Sequence, residues 1–130
     1  MAYTNNLGKF GEDVACEYLK KKGFKILERN YKTKFGEIDI VAKTKDKVLV
    51  FVEVKSLKSN NAGFRPEDHF TKKKARQVGR LALFYLSQIK SGTKNQFRVD
   101  LVAVEVKSSL LTKNKECCVI RHYQNISSGL

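Results

Sequence analysis

The run Val48-Leu49-Val50-Phe51-Val52-Glu53-Val54-Lys55 constrains the fold more than any other stretch of this chain. It is rich in β-branched residues and has almost no polar break until Glu53, so both faces of a strand made from it need covering. A strand buried on two sides belongs at the centre of a sheet with helices on its faces, which sets the class as α/β. Two segments have the helical spacing to supply those layers. Leu7, Phe10, Val14 and Tyr18 recur at intervals of three and four. That stripe ends at Gly23, behind Lys20, Lys21 and Lys22, where the helix dipole favours cations. A longer helix starts between Pro66 and Thr71 and runs to about Ile89, with Val78, Ala82, Tyr85 and Ile89 as its buried stripe.

Further strands are expected at residues 24–30 and at 37–42, the latter opened by Gly36 and followed by a polar hairpin turn at 43–47. Residues 56–65, with Asn60, Asn61 and Gly63, read as a polar loop. Ser91-Gly92-Thr93 breaks the second helix, and strands follow at 97–106 and 116–123 before a polar tail at 123–130. The order is α-β-β-β-α-β-β around a mixed sheet. The 130 residues read as one domain with its core at about 5–122. The longest apolar run, from Leu81 to Leu86, is far short of the ~20 residues of a membrane-spanning helix. With no signal-like N-terminal segment, a cytoplasmic protein is expected. Cys16, Cys117 and Cys118 offer no CxxC spacing, so neither a disulfide framework nor a zinc site is expected of them.

Charge supplies the first functional signal. Twenty-six Lys and Arg against thirteen Asp and Glu leave a net +13, enough to attract a polyanion, and nucleic acid is the partner that fits best. No lipidation signal or wide amphipathic segment favours a membrane.

The second signal is a set of carboxylates with a lysine. Side chains alternate across a strand, so Glu53 and Lys55 share one face, as do Glu37 and Asp39 on the strand before. Carboxylates brought together repel unless a cation joins them. Magnesium takes one or two protein carboxylates and leaves the rest of its octahedron to water and phosphate oxygens. Asp39 and Glu53 are the candidate metal ligands, with the Val54 carbonyl as a third. Lys55 is the candidate to position the attacking water or stabilise the developing charge. Glu12 on the first helix is a candidate outer ligand, on a flank with Gly8, Cys16 and Leu19 that is small enough to approach the sheet. A hairpin turn at 43–47 would leave Asp39 and Glu53 unequally far from it, so their adjacency is not fixed by spacing. The chain also contains its own control: Val104-Glu105-Val106-Lys107 repeats Val52-Glu53-Val54-Lys55. Only the first copy has Gly36-Glu37-Ile38-Asp39 one strand earlier and a basic helix after it.

On that helix Lys72, Arg76 and Arg80 recur every four residues, with Lys73 and Lys74 alongside. Like charges at this spacing destabilise an isolated helix, which fits an anionic partner. Lys58 and Arg65 flank the preceding loop and are further candidates for nucleic-acid contact. Base-stacking aromatics are not evident beyond Phe64 and Phe70, and Phe70 fits the core better. His69 and His122 stand apart from other ligand-type residues and read as structural or exposed.

Several segments then resemble one family: Gly11-Glu12 with Ala15, Tyr18-Leu19, Gly23, Ile26-Leu27, Arg29-Asn30, Gly36-Glu37-Ile38-Asp39, residues 50–55, and Arg98-Val99-Asp100-Leu101-Val102. The chain resembles the YraN-like family of small bacterial proteins over about residues 5–122. That family is grouped with the restriction-endonuclease-like (PD-(D/E)XK) fold and is similar to archaeal Holliday junction resolvases. The resemblance implies that Asp39, Glu53, Lys55 and Glu12 stand at nuclease positions, with Ile38 replacing the proline of the wider motif. It implies magnesium or manganese as cofactor, and Leu57 stands where relatives often carry arginine. The leading expectation is a metal-dependent endonuclease acting on DNA, with branched or processed structures as candidates. The alternatives are a non-cleaving nucleic-acid-binding adaptor on the same fold and an RNA- or ribosome-associated basic protein. A homodimer is compatible with a junction or duplex cutter, although no heptad or apolar face encodes one.

Overall fold

A computed structural model describes residues 7–59, 63, 65–89, 96–107 and 118–126. Helix α1 (Leu7–Lys21) is followed by strands β1 (Lys25–Thr33), β2 (Gly36–Lys43) and β3 (Leu49–Lys58). A 3-10 turn at Pro66–His69 leads into helix α2 (Lys72–Gln88), and strands β4 (Phe97–Val106) and β5 (Cys118–Tyr123) complete the order. The five strands form one sheet in the order β1-β2-β3-β4-β5. Only β3 and β4 pair in parallel, across the connection that contains α2, and the other neighbours are antiparallel. The mixed α/β architecture and its element order are those expected, and they are compatible with a restriction-endonuclease-like fold.

The reason β3 is central is visible in its packing. Val50 and Val52 face α1, where they join Val14, Ala15, Leu19, Ile40 and Ala42. Leu49 and Phe51 face α2, where they meet Ile38, Val41, Val78, Ala82 and Tyr85. Residues 49–52 are therefore buried on both sides, and the alternation divides them between two cores. Helix α2 buries Val78, Ala82 and Tyr85 as its periodicity predicts, with Ala75 and Leu81 added. Ile89 caps the helix and packs against the same core.

Several boundaries differ from expectation. Strand β1 continues to Thr33, because its antiparallel register with β2 runs through to the Thr33–Gly36 pair. Strand β3 continues through Ser56, Leu57 and Lys58, residues assigned to a loop from sequence, because β4 pairs alongside them as far as Lys58–Val106. Leu57 is thus a half-buried strand residue. Entry to α2 takes two steps: after the Pro66–His69 turn, Thr71 caps the helix by accepting the Lys74 N–H at 3.1 Å. The chain after β5 is not a free tail up to 126, since the Ile126 N–H donates to the Val99 carbonyl at 2.7 Å and Ile126 packs on the α2-side core. The expectations at 60–61, 64, 91–93, 116–117 and 127–130 lie outside the described residues. Among the described residues no helix is long and apolar enough to cross a membrane. Cys16 is buried under α1 and Cys118 packs on that same core.

His122 is structural, and its partner is the buried Asp100. Its Nε2 lies 2.7 Å from Asp100 Oδ2, and its Nδ1 lies 3.1 Å from the Tyr18 hydroxyl. Asp100 also accepts from the Asn125 N–H at 2.9 Å and from Arg98 Nε at 3.1 Å. Burial pushes the Asp100 carboxyl up, but His122, Asn125 and Arg98 outweigh it and hold the group below its ordinary value. A depressed carboxylate contributes stability above its unfolded pKa and loses it as pH falls through the folded one. Asp100→Ala leaves three donors facing a void and is expected to cost about 3–5 kcal/mol near neutral pH. The difference from wild type should shrink below about pH 4. Urea melts of both proteins across pH 3–8 check this.

Candidate functional site

The site begins with a glycine. Gly11 is buried on α1, and a Cβ built there would lie 1.6 Å from Ser56 Oγ and 2.7 Å from Ser56 Cβ. Only a residue without a side chain lets α1 rest on β3 this closely. Of the flank expected to approach the sheet, Cys16 and Leu19 are buried, whereas Gly8 faces open space. The contact at Gly11 sets its neighbour Glu12 over the start of β2.

The β2–β3 register brings in the next two residues. The last registered pair is Ile40 with Val52, and one further step in the same register sets Asp39 opposite Glu53. Spacing left this adjacency open because the turn was drawn at 43–47. The pairing starts at Lys43–Leu49, so Val48 belongs to the connection and Asp39 and Glu53 are equidistant from it. Beyond Ile40–Val52 the ladder opens, and the Asp39 side chain takes up the freed donor: the Val54 N–H donates to its Oδ2 at 2.8 Å. On the other flank Asn30 has a left-handed backbone (φ 53°) between the Arg29–Ile40 and Tyr31–Ile38 pairs. Asparagine tolerates this conformation better than most residues. With its amide nitrogen turned to the acids, Asn30 donates to Glu37 Oε1 at 3.1 Å and to Glu12 Oε1 at 3.2 Å.

Glu12, Glu37 and Asp39 each offer an oxygen within 4.8 Å of the others. Glu53, almost fully buried, is not one of that trio, but its carboxyl neighbours that of Asp39. Its Oε2 lies 3.6 Å from Lys55 Nζ and 3.5 Å from Lys74 Nζ. Burial and then the charge of Asp39 push Glu53 up to about 7, against the pull of the two lysines. Asp39 is raised by burial, and Glu12 by burial and then by Asp39, with Arg29, 3.6 Å from Glu12, drawing it back. All these donors are hard oxygens whose charges oppose one another. That set fits magnesium or manganese and does not fit a metal that prefers thiolate or imidazole.

The two Val-Glu-Val-Lys copies have separate fates. Glu105 accepts from Ser59 Oγ at 2.6 Å, from Arg121 Nη2 at 2.8 Å and from Lys107 Nζ at 3.1 Å. Arg121 also holds Glu67 of the 3-10 turn, which ties that turn to the sheet. Glu105 is depressed to about 2, chiefly by Ser59 and Arg121. The second copy is a tether, and the first is the one beside Asp39.

The profile of the uncharacterised protein family UPF0102 matches residues 11–104. This chain belongs to that family. It is 48% identical to a UPF0102 protein of Thermotoga neapolitana over 96 residues, 74% of this chain and 84% of the relative. A UPF0102 protein of Thermotoga petrophila is 49% identical over 96 residues, 74% and 83% of the two chains. One from Campylobacter jejuni subsp. doylei is 41% identical over 98 residues, 75% and 82%. The UPF0102 match takes in Glu12, Glu37, Asp39, Glu53, Lys55 and Lys74, the whole of the cluster described above.

The cationic candidates do not all gather. Lys72, Arg76 and Arg80 are exposed on α2, and Arg76 and Arg80 border a groove together with Lys73. Lys58 is exposed at the end of β3, and Arg65 is exposed before the 3-10 turn, where its N–H donates to Asp68 Oδ2 at 2.9 Å. Sequence reasoning assigned no site role to Lys74, Asn30 or Glu37. Lys74 stands beside the cationic stripe that fits an anionic partner, yet it is turned inward to Glu53. Glu37 could have been found from its place on the Asp39 face. Nothing local marked Asn30, whose role depends on the sheet opening beside it.

Proposed function

We propose that this UPF0102 protein is a metal-dependent endonuclease that hydrolyses phosphodiester bonds in DNA, with branched or processed DNA as its substrate class. The observation that carries the reading is the meeting of Asp39 and Glu53 across the open end of the β2–β3 ladder, with Lys55 on the Glu53 carboxylate and Glu12 lowered onto the same cluster. Asp39 and Glu53 would hold magnesium or manganese, with Glu12 and Glu37 in support. In an extended strand the N–H and C=O of a residue point to one side. The Val54 carbonyl, whose N–H meets Asp39, is therefore the candidate backbone ligand. When bound, the cation supplies an acidified water and neutralises charge on the phosphate. The protein's own groups do the rest. Lys55 orients the water or meets the growing negative charge, and Lys74 holds Glu53 in place from the other side. Arg76, Arg80, Lys72, Lys58 and Arg65 carry the DNA backbone by neutralising phosphates.

Purified protein with magnesium or manganese is expected to nick a supercoiled or branched DNA substrate and to stop when a chelator is added. Asp39→Ala is expected to abolish both the nicking and the calorimetric signal of manganese binding. Nicking that persists unchanged in Asp39→Ala would assign the activity to a contaminant. A non-cleaving DNA-binding adaptor is the second reading, favoured by one observation: two ammonium groups already flank Glu53 Oε2. It predicts metal-independent, salt-sensitive DNA binding and no calorimetric signal in wild type.

A further inference from the structure

The hairpin between β1 and β2 turns through Lys34 and Phe35, and the turn is fastened from both sides. The Phe35 N–H donates to Thr33 Oγ1 at 3.0 Å, and Gln77 of α2 donates through Nε2 to the Phe35 carbonyl at 3.2 Å. Gly36 sits at φ 146°, a backbone conformation that residues with side chains rarely adopt, and a Cβ there would lie 2.8 Å from Gln77 Nε2. Phe35 is nonetheless 63% exposed as a residue, and Phe84 on α2 is 40% exposed. The two rings stand edge to face with centroids 6.5 Å apart. They border a groove of about 750 Å³ with Lys73, Arg76 and Arg80 on its α2 side, a size in the ~300–1,000 Å³ range of ligand sites. Lys34 adds a fourth cation, its Nζ 5.3 Å from the Phe35 centroid.

The geometry points to a single-stranded DNA subsite: an unpaired base stacks on the exposed Phe35 ring, with the Phe84 ring nearly perpendicular beside it, while Arg76, Arg80 and Lys73 hold the flanking phosphates. An exposed aromatic platform beside cations is the combination that binds unpaired nucleotides, because every base offers a π-face and the backbone offers charge. Paired bases are already stacked within a duplex and present only edges and phosphates, so they would leave the rings unused. A second copy of this chain is the other candidate occupant. A two-fold contact through this face would set Lys73, Arg76 and Arg80 against the same three cations, and among the described residues no acidic side chain borders the groove to compensate. Charge therefore selects the nucleic acid.

This inference deepens the nuclease reading by naming an unpaired segment as part of the substrate. Both elements of the groove lead to the carboxylates. Phe35 lies two residues before Glu37, and Lys73 lies one before Lys74, which reaches Glu53.

The test measures binding rather than cleavage, so it fails or succeeds independently of the metal site. Fluorescence anisotropy with labelled dT12, rU12 and a blunt duplex, all in chelator, compares wild type with Phe35→Ala, Phe35→Leu, Phe84→Ala and Arg76→Gln. Phe35→Ala is expected to weaken dT12 binding about 5- to 150-fold. Phe35→Leu should lose most of that affinity too, because it keeps apolar area without a π-face. Duplex binding should change less than about 2-fold, and the salt slope on dT12 should be unaltered. Arg76→Gln should lower that slope by about 0.7. Circular dichroism melts should be unchanged for Phe35→Ala, since the ring is exposed. Unaltered dT12 affinity in both Phe35→Ala and Phe84→Ala would overturn the inference, as would an equal loss on duplex. Tighter Phe35-dependent binding of rU12 than of dT12 would overturn the assignment to DNA. A wild-type dimer in sedimentation that Phe35→Ala converts to monomer would give the groove to a second copy instead.

Discussion

Glu53→Gln is expected to lower metal-dependent cleavage by at least about 10²–10³-fold while making the metal-free protein more stable. On the proposed nuclease reading, the loss follows from replacing a charged carboxylate with a neutral amide in the position where Asp39, Lys55 and Lys74 converge; removing one charge-stabilising group from an active site costs this much or more. The gain follows from the same burial. Glu53 is 4% exposed, and the Asp39 charge and desolvation both oppose its ionisation. An amide of the same shape can donate to the Asp39 carboxylate and removes the repulsion. At pH 8 in chelator the variant should be more stable by about 1–3 kcal/mol. Adding manganese should narrow the gap, because only wild type would gain the full stabilisation of a bound cation. Nicking assays alongside thermal melts in chelator and in manganese decide it. A variant that is inactive and also less stable in chelator would mean that Glu53 serves the fold and that its charge is not held ready for a ligand.

The second large effect is at the helix–sheet contact. Gly11→Ala places a methyl group 1.6 Å from Ser56 Oγ and 2.7 Å from Ser56 Cβ. A rotamer change can move the hydroxyl, but the Cβ is fixed to the backbone, so α1 must lift. Overpacking a close contact of this kind costs about 1–3 kcal/mol or more. Lifting α1 also withdraws Glu12 from Asp39 and Glu37, so manganese affinity should fall with stability. Ser56→Gly removes both obstructing atoms, leaving the Ser56 Cα at 3.9 Å as the nearest. It also removes a hydroxyl oxygen that is buried without a hydrogen-bond partner. Gly11→Ala with Ser56→Gly is therefore expected to recover most of the lost stability and metal affinity. A double-mutant cycle by urea denaturation should give a favourable coupling well above the ~0.5 kcal/mol of independent sites. Additive losses would show that the clash is relieved elsewhere.

Much of this architecture was legible because its signals are periodic and local. The unbroken apolar run through Val50, Phe51 and Val52 marks a strand covered on both faces, and Val78, Ala82 and Tyr85 mark the helix that covers one of them. Asp39, Glu53 and Lys55 could be named as candidate site residues because alternation along a strand puts chemistry-bearing groups on a known face. Element ends were less legible. Strand β3 runs on to Lys58 because β4 offers partners there, and no residue within 56–58 announces a distant neighbour.

The sequence by itself determined the element order, the buried stripe of α2 and the short list of carboxylates, since these depend on spacing along one strand or helix; on α1 the buried face is Gly11, Val14, Ala15, Cys16 and Leu19, and the expected Leu7, Phe10 and Tyr18 only flank it. Tertiary structure alone decided which Val-Glu-Val-Lys copy stands beside Asp39, that Gly11 and not Gly8 admits Glu12, that Lys74 turns inward, and that Phe35 meets Phe84. Each of these is a contact between residues far apart in the chain. Such contacts are fixed by register and close packing between elements, which no local pattern encodes.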